Sequence, residues 1–170
     1  MNNKKIDEAL KEAYEGEAKA VLKLKVYAAK ADTEGYPEIA KLFRVVAASE
    51  AVHGTRALML LRESGTTEEN LAAGFESEEK VARVSYERFI QEALEDGNRT
   101  AELLFTQSRD VEETHARLYK KALDSMVSGR ETSYFICEVC GYVSEDVSPE
   151  TCPVCGAKRE RFYDFDNFCR

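Results

Sequence analysis

The chain has no tryptophan, only three prolines, nine glycines and two histidines in 170 residues. So little proline and glycine rules out collagen-like and low-complexity classes and leaves few forced stops, as long helices require. No apolar run approaches the length of a membrane span, and Met1-Asn2-Asn3-Lys4-Lys5-Ile6-Asp7-Glu8 offers no apolar stretch for a signal peptide. A cytoplasmic location is expected. Clustered Lys/Arg is missing too: with a formal charge of -8 and a pI near 5.0, a nucleic-acid partner is not expected. What remains is 44% hydrophobic and 33% charged, enough for one sizeable core and a small appendage.

Period and punctuation predict four helices. The first runs from about Lys4 to Asp32 before Gly35, and the second starts near Pro37 and stops at Gly65. The third ends at Gly97, and the fourth spans roughly Arg99 to Val127. Short links after Asp32 and Asp96 make each consecutive pair an antiparallel hairpin, which predicts a mainly α four-helix bundle.

The two histidines carry the chemistry. Glu50-x-x-His53 recurs in form sixty-two residues later as Glu112-x-x-His115. Each pair interrupts an otherwise apolar stripe, Ile39, Phe43, Val46, Ala57 and Leu60 in one helix and Ala101, Phe105 and Tyr119 in the other. Glu17 breaks the stripe of the first helix in the same way, thirty-three residues before Glu50. In the third helix the stripe favours Glu78, whereas the thirty-three-residue spacing favours its neighbour Glu79. Unpaired carboxylates on a buried stripe cost several kcal/mol or more each. Two divalent cations would cancel four such charges, and Glu and His at i, i+3 can reach one ion, so a two-metal carboxylate centre is expected. A lone Glu-x-x-His is usually a solvated helix face; the mirrored pair with its upstream acids is not.

After a linker at Ser128–Ser133 the composition changes. Cys137-x-x-Cys140-Gly141 and Cys152-x-x-Cys155-Gly156 are metal knuckles, in which glycine permits a turn that aims backbone amides at sulfur. About forty residues build little core, so a metal must also hold this segment together. Four thiolates suit zinc or iron. Tyr134, Tyr142, Phe162 and Phe165, together with a metal bundle in need of an electron donor, favour iron, with zinc as the possible substitute. No role is assigned to Cys169.

Taken with Gly16-Glu17, the run from Glu34 to Arg44, Tyr86, Leu118-Tyr119 and the two knuckles, these motifs make nearly the whole chain resemble rubrerythrin. That resemblance implies a ferritin-like di-iron bundle, here residues 1–130, followed by a rubredoxin-like domain, residues 131–170, with one iron in Cys137, Cys140, Cys152 and Cys155. It implies two non-haem irons held by Glu17, Glu50, His53, Glu78, Glu112 and His115, and it selects Glu78 over Glu79. The implied activity is reduction of hydrogen peroxide to water, with electrons from an NAD(P)H-dependent reductase or rubredoxin passing through the rubredoxin-like iron. It also implies a head-to-tail homodimer, each small domain beside the partner's irons, because a flexible hexapeptide would not fix it near its own.

Departures from the family pattern bear on mechanism. Rubrerythrins usually carry a further Glu three residues after the third-helix ligand, which exchanges with the second-helix His as the irons change oxidation state; Val81 stands there. Leu24 replaces a first-helix Tyr, and Ser85-Tyr86-Glu87 replaces Met-Tyr-Pro, leaving Tyr86 as the retained phenol of the site. The site therefore resembles the six-ligand arrangement of bacterioferritin, and a ferroxidase or oxygen-reducing oxidase is the alternative reading. A zinc-knuckle interaction module on a helical bundle is the non-enzymatic one.

Overall fold

The computed structural model describes residues 4–126 and 131–168. Half of the predicted linker at Ser128–Ser133, residues 128–130, and the unassigned Cys169 lie outside the described residues. The chain divides into two compact units at Gly65.

The first unit is a hairpin of α1 (Lys4–Thr33) and α2 (Pro37–Leu61). Its turn is closed by two amides, Tyr36 donating to the Ala31 carbonyl and Gly35 to that of Asp32. That pattern needs a left-handed residue, and Gly35 supplies it at φ 80°. Small side chains fill the seam: Ala28 and Ala31 of α1 and Ala40, Ala47, Gly54 and Ala57 of α2 are all buried. Arg44 pairs with Asp32 at 2.9 Å near the turn and Lys11 with Glu63 at 3.3 Å towards the far end. The larger apolar side chains of the hairpin, among them Leu22, Val26, Leu42, Val45, Val52 and Leu60, are exposed.

The second unit begins with α3 (Thr67–Lys80), widens into a π-helical turn at Val81–Tyr86, and continues as α4 (Glu87–Glu95). Where the sequence predicts one uninterrupted third helix, the structure inserts this wide turn. Apolar periodicity does not register such an insertion when the stripe stays apolar on both sides of it. Here Ala82 and Ala93 are both buried, and Tyr86 and Phe89 both meet Phe105. α5 (Arg99–Asp124) packs back along this segment, its first turn capped by the Asn98 side chain, which accepts from the Ala101 amide at 3.1 Å. The turn before it repeats the first hairpin's: Asn98 donates to Ala93 and Gly97 to Leu94, with Gly97 at φ 69°. Arg109 of α5 clamps α4 through Glu87 at 3.1 Å.

The same unit ends in a three-stranded antiparallel sheet of β1 (Tyr134–Cys137), β2 (Val143–Glu145) and β3 (Phe162–Asp164), with β1 in the centre. A short α6 (Phe165–Phe168) follows. The fold class predicted from sequence is the one observed: four long helical segments and then a small knuckle domain. No helix among the described residues is long and apolar enough to cross a membrane.

The start of α3 generates a prediction. The Thr66 hydroxyl accepts from the Glu69 amide at 3.2 Å, and the Thr66 amide donates to the Glu69 carboxylate at 2.7 Å. Replacement Thr66→Ala should cost about 1 kcal/mol in denaturant unfolding. The hydrogen bonds from the Thr66 backbone and side chain hold the Glu69 carboxyl below its ordinary value of 4.5. A depressed carboxyl contributes stability above its unfolded pKa and loses it as pH falls through the folded one. The gap in melting temperature between wild type and Glu69→Ala should therefore be widest above pH 4.5 and close at lower pH.

Candidate metal centres

Among the described residues, three groups of side chains have donor atoms close enough to hold metal ions. The first lies on the α1–α2 hairpin. His53 Nδ1 is 2.9 Å from Glu50 Oε2 and 3.7 Å from Glu17 Oε1. Neighbouring donors on an octahedral ion with bonds of about 2.1 Å stand about 3 Å apart, which the His53–Glu50 spacing matches, and Glu17 stands within reach of the same ion. Gly54 makes the approach possible: a Cβ there would lie 3.3 Å from Cβ of Glu17. That glycine was not singled out from the sequence, although a glycine directly after a helical His is a readable signal for close approach.

The second group repeats the first on α3 and α5. Glu78, Glu112 and His115 come together, with His115 Nδ1 3.0 Å from Glu112 Oε2. The glycine of this hairpin is Gly74, one turn before Glu78, where a Cβ would sit 3.0 Å from the ring of Tyr119, one turn after His115. Glu79 instead pairs with Arg83 at 3.2 Å, so of the two candidates it is Glu78 that joins the cluster. Tyr86 ends the π-helical turn and packs edge-on against Phe89, with ring centroids 5.9 Å apart.

The electrostatics of the two groups match. Burial raises the Glu17 carboxyl above its ordinary value, and the hydrogen bond and like charge of Glu50 add to it. Glu78 is raised by burial and then by Glu112. Each hairpin thus presses two carboxyls together so that one favours its neutral form, a conflict that a cation removes. The sequence predicts buried carboxylates; the observed ones are half-buried, and the His53 side chain is 54% exposed.

The third group is the four cysteines. Cys137 and Cys152 are buried, and Cys140 and Cys155 half-buried. Across the two knuckles Cys137 and Cys155 sulfurs are 3.7 Å apart and Cys140 and Cys152 sulfurs 3.6 Å. A tetrahedral site with metal–sulfur bonds of about 2.3 Å has edges of about 3.8 Å, so the sulfurs stand ready for one ion. Gly141 and Gly156 take φ 83° and 75°, and each amide donates to the carbonyl of the first cysteine of its knuckle. Burial opposes charge on Cys137, but amides of Cys140 and Val139 aimed at its sulfur outweigh that and lower its pKa. The Cys140 sulfur receives the Tyr142 amide and the Cys155 sulfur the Ala157 amide, yet burial leaves both thiols raised. Tyr142 and Phe162 pack edge-on beside the site with centroids 6.4 Å apart, while Tyr134 and Phe165 are exposed.

The small domain is seated on α5 of its own chain. Lys121 reaches Glu145 at 2.7 Å, and a Cβ on Gly141 would be 3.9 Å from Val111, the residue before Glu112. These side-chain contacts tie the small domain to α5 within one compact unit.

Residues 8–123 match the Rubrerythrin family, and residues 135–163 match the rubredoxin-like domain of rubrerythrin. The chain belongs to the rubrerythrin family. It is 28% identical over 173 residues to rubrerythrin-2 of Clostridium acetobutylicum, covering 92% of this chain and 94% of that protein. Nigerythrin of Nitratidesulfovibrio vulgaris is 31% identical over 169 residues, covering 91% and 84%. A solved structure of partially reduced nigerythrin superposes with a TM-score of 0.59 at 29% identity, covering 94% of this chain and 86% of that one. An all-ferrous nigerythrin structure gives 0.58 at 29% identity. A rubrerythrin-type di-iron centre in the helical part and one iron in the four-Cys site are the cofactors of this family member, and the donor sets above fit them.

Two outcomes follow. Cys152→Ala should abolish the red absorbance of the four-thiolate ferric site and unfold the small sheet, while the far-ultraviolet helical signal persists. Gly74→Val should force the Tyr119 ring aside and cost about 1 to 3 kcal/mol in denaturant unfolding.

Proposed function

We propose that this oxidoreductase reduces hydrogen peroxide to water in oxidative-stress defence in the cytoplasm, residues 1–130 forming the di-iron domain and residues 131–170 the electron relay. The observation that carries the reading is the seating of the first cysteine knuckle on α5, at the residue before Glu112. Glu17, Glu50, His53, Glu78, Glu112 and His115 would hold the two irons, and Cys137, Cys140, Cys152 and Cys155 the third. When bound, the iron pair supplies the two electrons that, with two protons, convert one peroxide into two waters.

The chain's own residues set the conditions for that chemistry. Four carboxylates balance two divalent cations, so the neutral imidazoles of His53 and His115 complete the donor set without adding charge. The carboxyls of Glu17 and Glu78 are raised by burial and by their neighbours, and a bound cation would favour their ionised form, which couples the ligand arrangement to metal loading. Tyr86 adds a phenol held among Phe89 and Phe105. The four cysteines would supply all the ligands of one tetrahedral ion and leave no position for substrate, which suits a site that relays single electrons from a reductase or rubredoxin.

Val81 favours a second reading. With an apolar side chain at the first position of the π-helical turn, no further carboxylate exchanges with His53. The simpler ligand set is that of a ferroxidase or an oxygen-reducing oxidase. Stopped-flow mixing of the reduced protein with peroxide and, separately, with oxygen distinguishes them. Peroxide should oxidise it at least tenfold faster; faster oxidation by oxygen would replace the first reading with the second.

A further inference from the structure

The small domain rests on α5 at two points. A Cβ on Gly141, in the first knuckle, would lie 3.9 Å from Val111, and Lys121 Nζ is 2.7 Å from Glu145 Oε2. Ten residues of helix separate Val111 from Lys121, about 15 Å at about 1.5 Å per residue. One contact fixes a distance; two that far apart fix an orientation as well. The seam also holds a cleft of about 410 Å³, lined by Thr114, Arg117 and Leu118 of α5 and by Tyr142 and Ser144 of the small domain. A seam that keeps a polar cleft open permits relative motion of its two sides, except where a specific contact holds them.

The ion pair is the contact built to do so. Glu145 ends β2, opposite Tyr134 of β1. Directly after it Asp146 takes the left-handed φ of 60°, which residues other than glycine rarely adopt, and the Val147 amide turns back to the Glu145 carbonyl at 2.7 Å. The strand end is thus fixed, and the Glu145 side chain is 23% exposed against 55% for Lys121. Arg117, the other cation of the cleft, donates to the buried Thr114 Oγ1 at 2.8 Å, which leaves Lys121 to answer Glu145. The Ser144 hydroxyl is buried without a hydrogen-bond partner among the described residues, so it adds nothing to the hold.

We propose that Lys121 and Glu145 are positioning residues for the relay: the first knuckle bears on α5 at Val111, and the ion pair keeps the small domain from swinging about that point. Neither residue belongs to a donor group. The step they govern moves one electron and no atom: the four-Cys ion goes from ferrous to ferric, one ferric ion of the helical part becomes ferrous, and a reductase or rubredoxin restores the first. Transfer of this kind slows steeply as the centres move apart, so a domain held in one orientation relays faster than one that swings. The hold is electrostatic and half-exposed, and salt screens it, with a Debye length of about 8 Å at about 0.15 M and about 3 Å at about 1 M. The inference rests on the relay reading of the four-Cys site but not on peroxide as the oxidant.

Two measurements test it. Carbodiimide, which couples a carboxylate to an amine in contact with it, should give a Lys121–Glu145 cross-linked peptide from chains that still migrate as monomers on a denaturing gel. No such peptide, or one confined to covalent dimers, would overturn the latch. In the second, fully reduced protein is mixed with oxidant and the return of the red four-Cys absorbance is followed. Lys121→Glu and Glu145→Lys singly should slow that return about fivefold, and the double variant, with the charges exchanged, should recover it. Raising salt from about 0.05 to about 0.5 M should slow the wild type and leave the single variants unchanged. The reduction potential of the four-Cys site should be the same in all four proteins, which separates positioning from damage to the site. Single variants at the wild-type rate, or a double variant as slow as the singles, would overturn the proposal. Wild type whose red centre returns with neither peroxide nor oxygen would instead overturn the relay reading, and the cross-link still reports on the latch.

Discussion

Everything in the helical part answers to a repulsion: Glu17 against Glu50 in one hairpin and Glu78 against Glu112 in the other. Without a cation, burial and like charge raise one carboxyl of each pair, so the hairpin holds an electrostatic conflict at its centre. The seams are built to bring the acids together all the same. Alanines along α1 and α2, with Gly54 opposite Glu17, let the helices approach closely, and Gly74 beneath Tyr119 does so in the second hairpin. Small residues bury little area, on the order of 25 cal/mol for each Å² of apolar surface. Such hairpins are weakly cored by themselves, and the metal contributes to cohesion as well as to chemistry.

The two kinds of centre solve the same charge problem in opposite ways. The four-Cys site is completed within about twenty residues of chain, from two knuckles of matching hydrogen bonding, with amides aimed at its sulfurs. It is closed in geometry and local in sequence. Each carboxylate group takes its donors from two helices that pack along each other. A closed site suits an ion that only changes charge, whereas an ion that must meet a small oxidant needs ligands that can be opened or shared. Tyr86 and the π-helical turn beside Glu78 belong to this second, less constrained environment.

Much of this was legible in the sequence because it is local or periodic. Helix limits follow from Gly35, Pro37 and Gly97, each acting within a turn or two, and the interrupted stripes identify Glu17, Glu50, His53, Glu112 and His115 by a 3.6-residue period that the structure reproduces. Glu78 was separable from Glu79 by stripe though not by spacing, and the cluster takes Glu78 while Arg83 takes Glu79. What escaped was long-range or phase-neutral. The π-helical turn at Val81–Tyr86 adds backbone without disturbing the apolar pattern around it. Seating of the small domain depends on Lys121 with Glu145 and on Val111 with Gly141, pairs with no shared period or motif.

The internal repeat acquires a physical meaning from these contacts. Leu42, Glu50 and His53 occur at the same offsets as Leu104, Glu112 and His115, so each half presents the same apolar and ionic pattern on one helix face. Two such faces cannot be satisfied by burying each within its own hairpin, because the seam there is already filled with alanine and glycine. Duplication of a hairpin therefore yields two donor groups of the same composition. Asymmetry then has to come from elsewhere: from Tyr86, from the wide turn next to Glu78, and from a relay seated on α5 alone. Val81 is apolar at the start of that wide turn, so in this chain the difference between the two donor groups lies in what surrounds them rather than in the donor residues themselves.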